Sequence, residues 1–580
     1  MSARRAAAWT AALAIHLACA AQPVLAAGEV EGDFGRALGT GARAAALALT
    51  ADGRIVVAGD QRGSGGEGAL TARFTAAGTL DASFGSGGVR IDRFATGASP
   101  QRAAAVAVQA DGATIVAGVA GDRWSLARHL PGGALDGLFG AGGVTLRDPS
   151  PGAGPPEEYP GEEPSLPDGT GPAAIALTAA GQIVVAGSVA VAGDDGVLGE
   201  QIVVARFGPT GVPDPAFGHD GFALVQLGFG SAARHASSAA RALSLLADGR
   251  ILIAGRAGAR DGGDRAFVAR LDVAGRLDAS FARNGRLLVQ LGRASAARVA
   301  SSSLEALVQR PGGRLLAAGR ATGVSGAHEV LLAAFTPAGA PEPGFGRAGA
   351  VRTQLGRSAR AAPAAPTSLA RAVALAPDGG ATVAGAAETS AGRGGALTAR
   401  FGPSGALDCA YGLRGRAPAF VGAGFDIAAD GAFGAAHDAG GRLLLAGRRP
   451  GGGLLLARLR GGQPAAPAAT APRLVTLRAS FTGRGRGYAY GVVDGGCATT
   501  SVRFEVVAPG GRRVLTAIQR VPARLGPQVV CAPLRGLRAG ASHRIRITTA
   551  AGAPRRARGE RRLLRAQRTS RRALPQEGCR

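Results

Sequence analysis

An arginine and an aspartate recur eight residues apart along most of this chain. A guanidinium and a carboxylate at a fixed spacing can form a charge-assisted hydrogen bond, and a partly buried arginine needs such a partner. One active site does not need many copies of its residues. The pattern therefore favours a structural pair in each repeat, with a ring of ligand-binding arginines as the alternative. The pairs are Arg73 and Asp81, Arg128 and Asp136, Arg206 and Asp214, Arg270 and Asp278, and Arg400 and Asp408, with Arg458 and Asp33 as a pair from the two ends of the array.

Other residues that carry chemistry form no recognisable set. The chain has no His-Glu-x-x-His motif, no EF-hand loop and no nucleophile elbow placed between a strand and a helix. No Cys-x-x-Cys or His-rich spacing indicates a metal site. We therefore predict no catalytic residue, no metal and no cofactor. The histidines after the first 27 residues share no repeat offset and are His129, His219, His235, His328, His437 and His543.

A repeat of about sixty residues must position these side chains. Its marker is an Ala-Gly pair that ends an apolar run, and the seven marker glycines are Gly59, Gly118, Gly187, Gly255, Gly319, Gly385 and Gly447. Each copy has four short strand-like runs separated by turns such as Asp52-Gly53, and four strands make one propeller blade. A stacked solenoid is the competing architecture, but it needs capping repeats and usually has a shorter period.

The two ends of the array favour a closed ring. The seventh copy reaches Gly461 without the Leu-Asp-x-x-Phe-Gly tail of the others, whereas Gly32-Asp33-Phe34-Gly35 precedes the first full copy. The N-terminal segment can thus supply the strand that the last blade lacks, which leaves no open sheet edge. We predict an all-β protein with a seven-bladed β-propeller at residues 28–461, followed by a small β-sandwich and a basic tail. The recurring phenylalanines of the tails are expected in the core.

The repeat resembles a known family. The Asp52-Gly-Arg-Ile-Val-Val-Ala-Gly59 core and the Leu80-Asp-Ala-Ser-Phe-Gly85 tail are similar to the delta-60 repeats of exported bacterial β-propellers. This resemblance covers about three quarters of the chain and implies an extracytoplasmic propeller without established catalytic residues. Copy five departs from the pattern, since Ala334 replaces the arginine and Pro341-Glu342 replaces Leu-Asp.

The N-terminus has the pattern of a signal peptide. Arg4 and Arg5 precede a mostly apolar run, and small residues follow at Ala26 and Ala27. We predict a signal peptide at residues 1–27 and a secreted or surface location. The residues before Cys19 match a lipobox poorly, so lipidation is the lesser alternative. No later run is long and apolar enough to span a bilayer.

Positive charge is concentrated at the C-terminal end. Residues 473–580 hold 23 arginines and four acidic residues, which gives +19 of the chain's net +26. Such a region favours contact with a polyanion, and that binding should weaken with salt. Anionic polymers or proteins of the cell surface are the expected partners. Nucleic acid is not expected, because the chain is predicted to be exported.

The C-terminal part divides into a linker at residues 462–473, a small β-domain at 474–552 and an Arg-rich tail at 553–580. The tail is expected to be disordered, with an amphipathic helix as the alternative. The small domain resembles a fibronectin type III module in Leu534-Arg-Gly-Leu537, although His543 stands where that family has a tyrosine; another immunoglobulin-like sandwich is the alternative. Four cysteines of the mature chain allow three pairings, and we expect a disulfide between Cys497 and Cys531, which share this domain.

Two hypotheses of function remain. The first is an exported, non-enzymatic and monomeric propeller that binds or scaffolds at the cell surface. The second is a secreted hydrolase or lyase with its active site on one propeller face. Acidic and histidine side chains gathered at the mouth of the central channel would favour the second, and a channel lined by backbone and alanine would favour the first. The chain has only two tryptophans and four tyrosines, which disfavours a lectin for neutral glycans.

Overall fold

The computed structural model of the chain consists almost entirely of short antiparallel strands. Within each repeat of the propeller, consecutive strands pair with one another in a meander, which has four strands in the first six repeats and three in the seventh. The structure describes residues 30–31, 34–35, 41–63, 66–94, 100–149, 170–192, 198–229, 237–294, 299–323, 326–355, 367–390, 393–408, 411–412, 416–423, 426, 430–449 and 453–460, and then the strands of residues 473–565.

The first four sheets contain four strands each. Their strands are β1 (Ala42–Leu49), β2 (Ile55–Gly63), β3 (Gly66–Phe74) and β4 (Val89–Asp92); β5 (Gln101–Val108), β6 (Thr114–Ala120), β7 (Arg123–His129) and β8 (Val144–Arg147); β9 (Gly171–Leu177), β10 (Ile183–Ala192), β11 (Leu198–Phe207) and β12 (Phe222–Val225); and β13 (Ser238–Leu245), β14 (Ile251–Gly258), β15 (Asp264–Leu271) and β16 (Arg286–Val289).

The next three sheets continue the pattern, with three strands in the last. A 3-10 turn, Pro311–Gly313, joins the first two strands of the fifth sheet. The strands are β17 (Ser302–Arg310), β18 (Arg314–Thr322), β19 (His328–Phe335) and β20 (Ala350–Thr353); β21 (Ser368–Leu375), β22 (Ala381–Ser390), β23 (Arg393–Phe401) and β24 (Arg416–Ala423); and β25 (Gly431–His437), β26 (Leu443–Arg448) and β27 (Leu454–Leu459).

The seven sheets form a closed ring. The first strand of every blade contacts the first strands of both neighbours, and β25 of the seventh blade contacts β1 of the first. The first strands therefore surround the central axis, as in a propeller. The seven-bladed β-propeller that the repeats predict is confirmed.

Apolar runs at the second and third strands build the core between blades. In β14, for example, Ile251, Leu252, Ile253 and Ala254 are all buried, because adjacent blades cover both faces of the sheet. The phenylalanines of the repeat tails are also in the core, as predicted. The buried tail aromatics are Phe34, Phe84, Phe139, Phe217, Phe281, Phe345 and Tyr411.

The propeller has two ends, which we name by the path of the first strands. The entry face is the end at which each first strand begins. The turn face is the opposite end, where each first strand turns into the second, as at Thr50–Gly53 in blade one. The mouth is the opening of the central channel at the entry face.

The N-terminal segment closes the ring against the third strand of blade seven. Val30 forms a β-bridge with Leu459, and the Glu31 amide donates to the Arg458 carbonyl at 2.9 Å. In blade one, Leu80 bridges Phe74 and the Asp81 amide donates to the Arg73 carbonyl in the same way. The first and last segments of the propeller thus meet within blade seven.

The C-terminal strands form two separate antiparallel sheets, in the orders β28-β29-β32 and β31-β30-β33-β34. The last strand lies within the tail for which the sequence predicts disorder. These strands are β28 (Arg473–Thr482), β29 (Arg486–Asp494), β30 (Thr500–Val507), β31 (Arg513–Val521), β32 (Pro527–Leu534), β33 (Arg544–Ala551) and β34 (Arg562–Arg565).

Some predictions from the sequence fall outside the described residues, among them the following two. The signal peptide at residues 1–27 is one, and the disulfide is the other, because Cys497 is not described and only the backbone of Cys531 is. No helix in the described part of the chain is long and apolar enough to cross a membrane.

Candidate binding site at the channel mouth

The recurring arginines and aspartates lie at the turn face, near the end of the third strand of each blade. In blade one, Arg73 Nε donates to Asp81 Oδ2 at 2.8 Å, and its guanidinium carbon lies 4.8 Å from the centre of the Phe84 ring. Asp81 also accepts hydrogen bonds from the amide and hydroxyl of Ser83. Burial would raise the pKa of Asp81, but these hydrogen bonds and Arg73 together hold the pKa below its ordinary value.

Four of the other five pairs named from the sequence are also in contact. Arg206 Nε lies 2.8 Å from Asp214 Oδ2, and Arg270 Nε lies 2.7 Å from Asp278 Oδ2. The remaining contacts are Arg128 with Asp136, and Arg400 Nε with Asp408 Oδ2 at 3.4 Å.

These arginines also reach the next blade around the ring. Arg206 Nη1 donates to the carbonyl of Val273 in blade four at 2.6 Å, and Arg270 Nη1 donates to the carbonyl of Pro337 in blade five at 3.3 Å. Arg458 of blade seven likewise donates to the Ala76 carbonyl of blade one at 2.6 Å. The arginine therefore links the tail of its own blade to the turn of its neighbour.

Blade five keeps the ion pair with a relocated arginine. Ala334 stands at the usual arginine position, and Arg310, at the end of β17, bonds Glu342 in its place. The Arg310 guanidinium carbon also lies 5.5 Å from the centre of the Phe345 ring. The tail carboxylate is thus paired in blade five too, which the sequence pattern did not indicate because the new arginine comes from another strand.

In blade seven the partner of Arg458 is Glu31. Arg458 Nε donates to Glu31 Oε2 at 2.6 Å. Asp33, to which the sequence pattern assigned this pairing, lies outside the described residues. Counting back from the tail aromatic identifies the correct position, because Glu31 precedes Phe34 by three residues just as Asp81 precedes Phe84.

The marker glycine of each repeat permits a β-bulge in the first strand. Between Leu304 and Ala306 the register of β17 against β18 shifts, and Glu305 is left unpaired. A Cβ on Gly319, the facing glycine of β18, would lie only 2.0 Å from the Ser303 carbonyl oxygen. The marker is glycine because the bulge brings the two backbones into close approach.

All seven first strands have this bulge, and the residue that the strand register skips is half-buried in each. We call these places the bulge positions. Blades one to three have alanine there, whereas blades four to seven have two arginines, a glutamate and a phenylalanine. The bulge positions in blade order are Ala45, Ala104, Ala173, Arg241, Glu305, Arg371 and Phe433.

Arg241 of blade four lies near a carboxylate of blade three. Its Nη2 is 3.8 Å from Oε1 of Glu200, which is buried and also bonds Arg256 of β14 and the Ser237 hydroxyl. Burial lowers the pKa of Arg241, and Glu305 and Glu200 oppose this effect. The contact connects two blades near the mouth.

Glu305 of blade five is the acidic member of the bulge positions. Ser303 donates its hydroxyl to Glu305 Oε1 at 2.8 Å, and Arg320 Nε lies 3.9 Å from the same oxygen. The Glu305 side chain is 20% exposed. It therefore keeps access to solvent while it attracts the arginines of the two adjacent blades.

Arg371 and Phe433 form a stacked pair across blades six and seven. The guanidinium carbon lies 4.2 Å from the centre of the Phe433 ring, which is a cation–π distance. Arg371 Nη1 donates to the Asp430 carbonyl at 2.7 Å, and the Asp430 carboxylate lies 3.3 Å from Arg448 Nε. Burial lowers the pKa of Arg371 to about 10, so the group is still a cation at neutral pH.

A further aromatic and cationic contact lies beside blade four on the entry face. Phe229 is 50% exposed, and the Arg260 guanidinium carbon lies 5.4 Å from its ring centre. Aromatic residues and arginine are enriched in protein interfaces. The entry face thus combines fixed cations with exposed aromatic surface.

Four histidines are described, and none of them occupies a bulge position. His328 begins β19, the third strand of blade five, at the entry face. His129 is fully buried between blades one and two, where its Nε2 is 2.8 Å from Asp92 Oδ2. His219 and His437 lie at turns of the turn face. In the part of the chain that the structure describes, no three histidine, cysteine or acidic side chains come together as metal ligands. The chemistry that the mouth offers is binding of anionic groups by guanidinium groups.

The sequence contains a signal for the bulge positions that the repeat pattern alone did not reveal. Each lies 14 residues before its marker glycine, as with Ala45 and Gly59 or Phe433 and Gly447. A comparison of the seven copies at this offset would have shown four non-alanine residues on consecutive blades.

Two segments of the chain, residues 50–84 and 246–281, match the family model of a domain of unknown function (DUF5122) beta-propeller. Each segment extends from the turn between the first two strands of a blade to its tail phenylalanine. The chain is therefore a β-propeller protein, and repeats of blades one and four match that family model. A comparison with curated proteins found no match.

Proposed function

We propose that this chain is an exported, non-enzymatic binding or scaffolding protein whose propeller holds its partner at the mouth. The observation that carries this proposal is the set of side chains at the bulge positions. Three blades have alanine there, so the fold does not require a charged or aromatic residue. Arg241, Glu305, Arg371 and Phe433 instead fit a role in binding.

The C-terminal region contributes a second contact in this proposal. Its net charge of +19 suits anionic polymers of the cell envelope. Two antiparallel sheets of three and four strands support the fibronectin type III-like module. Export rests on the signal peptide of residues 1–27, and the repeat pattern supports the likeness to delta-60 propellers.

The mouth chemistry favours binding over hydrolysis. A hydrolase would use an acidic residue together with a histidine or a second carboxylate as acid and base. Glu305 is accompanied at the bulge positions by arginines, and no described histidine occupies one of these positions. Arginine keeps its proton at physiological pH and serves poorly as a base.

The test is binding to isolated cell-envelope polymer at low and physiological salt. Four proteins are compared: the mature chain, a version that ends near Arg473, the variant Arg371→Gln, and the control Arg347→Gln, which removes an exposed arginine of the turn face. The proposal predicts salt-sensitive binding that weakens on truncation and again with Arg371→Gln, but not with Arg347→Gln. Absence of binding by the mature chain, or turnover of the polymer, would contradict it.

A further inference from the structure

The bulge positions of blades four, five and six have alternating charge. Arg241 and Arg371 stand on either side of Glu305, and both guanidinium groups are attracted to this carboxylate. Glu305 also accepts a hydrogen bond from the Ser303 hydroxyl and lies 3.9 Å from Arg320 Nε. Two cations near the axis therefore share one acidic side chain of the bulge positions, and that side chain has other partners.

Burial has the largest effect on both arginines. It lowers the pKa of each, although Glu305 acts in the opposite direction. Burial and the neighbouring arginines together thus outweigh the nearby carboxylates at both groups.

Phe433 fixes the plane in which one guanidinium group is presented. Stacking at 4.2 Å and the hydrogen bond to the Asp430 carbonyl hold Arg371 in one orientation. Gly431 leaves the space for it, because a Cβ there would lie 3.1 Å from Arg371 Nη1. A planar, oriented guanidinium group can donate two parallel hydrogen bonds to a carboxylate or phosphate, whereas a flexible ammonium group does not offer this geometry.

These observations indicate a class of ligand for the mouth, and this inference rests on the binding function proposed above. We infer that the mouth binds an oxyanion of the partner, a carboxylate or a phosphate, between Arg241 and Arg371, with the adjoining part of the ligand against Phe433. Glu305 separates the two arginines and repels the ligand. It thereby limits affinity and keeps the binding reversible.

The experiment titrates the full mature chain with citrate and with inorganic phosphate, and measures affinity by calorimetry. The two probes distinguish a carboxylate from a phosphate preference. For the preferred probe we expect Arg371→Gln and Arg241→Gln to weaken binding about tenfold, which corresponds to about 1.4 kcal/mol. Glu305→Gln should strengthen binding several-fold, and Arg347→Gln on the turn face should leave it unchanged. The basic C-terminal region is the same in every protein.

The arginine variants should weaken binding, whereas Glu305→Gln should strengthen it. This difference in direction keeps the inference falsifiable even where a variant loses stability, because unfolding cannot strengthen binding. Thermal unfolding of each variant is measured alongside. Weaker binding by Glu305→Gln, or equal losses for Arg347→Gln and Arg371→Gln, would overturn the inference. If the wild type binds neither probe yet binds envelope polymer through the mouth, the oxyanion assignment fails while the proposed function stands.

Discussion

Arg310 bonds Glu342 in blade five, although the repeat arginine of that blade is replaced by Ala334. The arginine has moved from the third strand to the end of the first, and the carboxylate has become longer by one methylene. Both changes occur in the same blade and keep the contact with the tail. We infer that the ion pair stabilises the attachment of each tail.

Arg310→Ala should therefore destabilise the propeller, by about 2 kcal/mol, because it leaves the partly buried Glu342 without its strongest partner. The second change Ala334→Arg should recover much of this loss. Ala334 faces Leu316 in the same register in which Arg73 faces Val56. Denaturant unfolding measures both steps. A double variant no more stable than Arg310→Ala would show that the two positions are not equivalent.

Asp278→Ala should destabilise blade four by about 2 kcal/mol, since the Arg270 side chain is only 8% exposed and would lose its carboxylate. The matched control is Asp248→Ala in the same blade. Asp248 is 49% exposed and pairs with Arg250, and exposed pairs contribute little. An unchanged melting curve for Asp278→Ala would contradict a structural role of the pair.

Acid should weaken the fold through the same carboxylates. Hydrogen bonds from Ser280, together with Arg250 and Arg270, hold the pKa of Asp278 far below its ordinary value. A folded-state pKa below the unfolded value of about 3.9 adds stability above that pH, and this stability is lost as the pH falls through the folded pKa. Unfolding free energies between pH 7 and pH 2 should fall below about pH 4. The fall should be smaller in Asp278→Asn, and an identical pH profile would contradict the assignment.

Gly319→Ala tests the origin of the bulge. The new Cβ would lie 2.0 Å from the Ser303 oxygen, so β17 and β18 must separate, which should cost more than 3 kcal/mol or prevent folding. Gly344→Ala is the control in the same blade, because a Cβ there meets nothing within 4 Å. Equal stability of the two variants, measured by thermal unfolding, would show that the bulge does not depend on glycine.

The sequence predicted the propeller well because its blades are packed by repeated apolar strands. The tail phenylalanines and marker glycines recur for the same reason, since each copy packs against its neighbours in the same way. The register of the closing segment was harder to predict from the sequence, because Glu31 replaces the aspartate at the pairing position and Asp33 lies two residues further on. Spacing from Phe34 decides between them.

The mouth was not predictable from repeat identity. The bulge positions are half-buried on the first strands around the axis, and three of them are alanine, so packing there does not require one residue type. Ala45 and Arg371 therefore occupy equivalent places without resembling each other. The fold brings these positions together from blades about sixty residues apart. Only the combination of the bulge with ring closure shows that Arg241, Glu305, Arg371 and Phe433 are consecutive around the axis.

Hydrogen–deuterium exchange of the mature chain with and without isolated cell-envelope polymer tests the central claim most directly. The account predicts slower exchange where the first strands begin in blades four to seven, around Ser303 and Gly431, and unchanged exchange at turns of the turn face such as Asp272–Arg276. Protection on the turn face without protection at the mouth would contradict it.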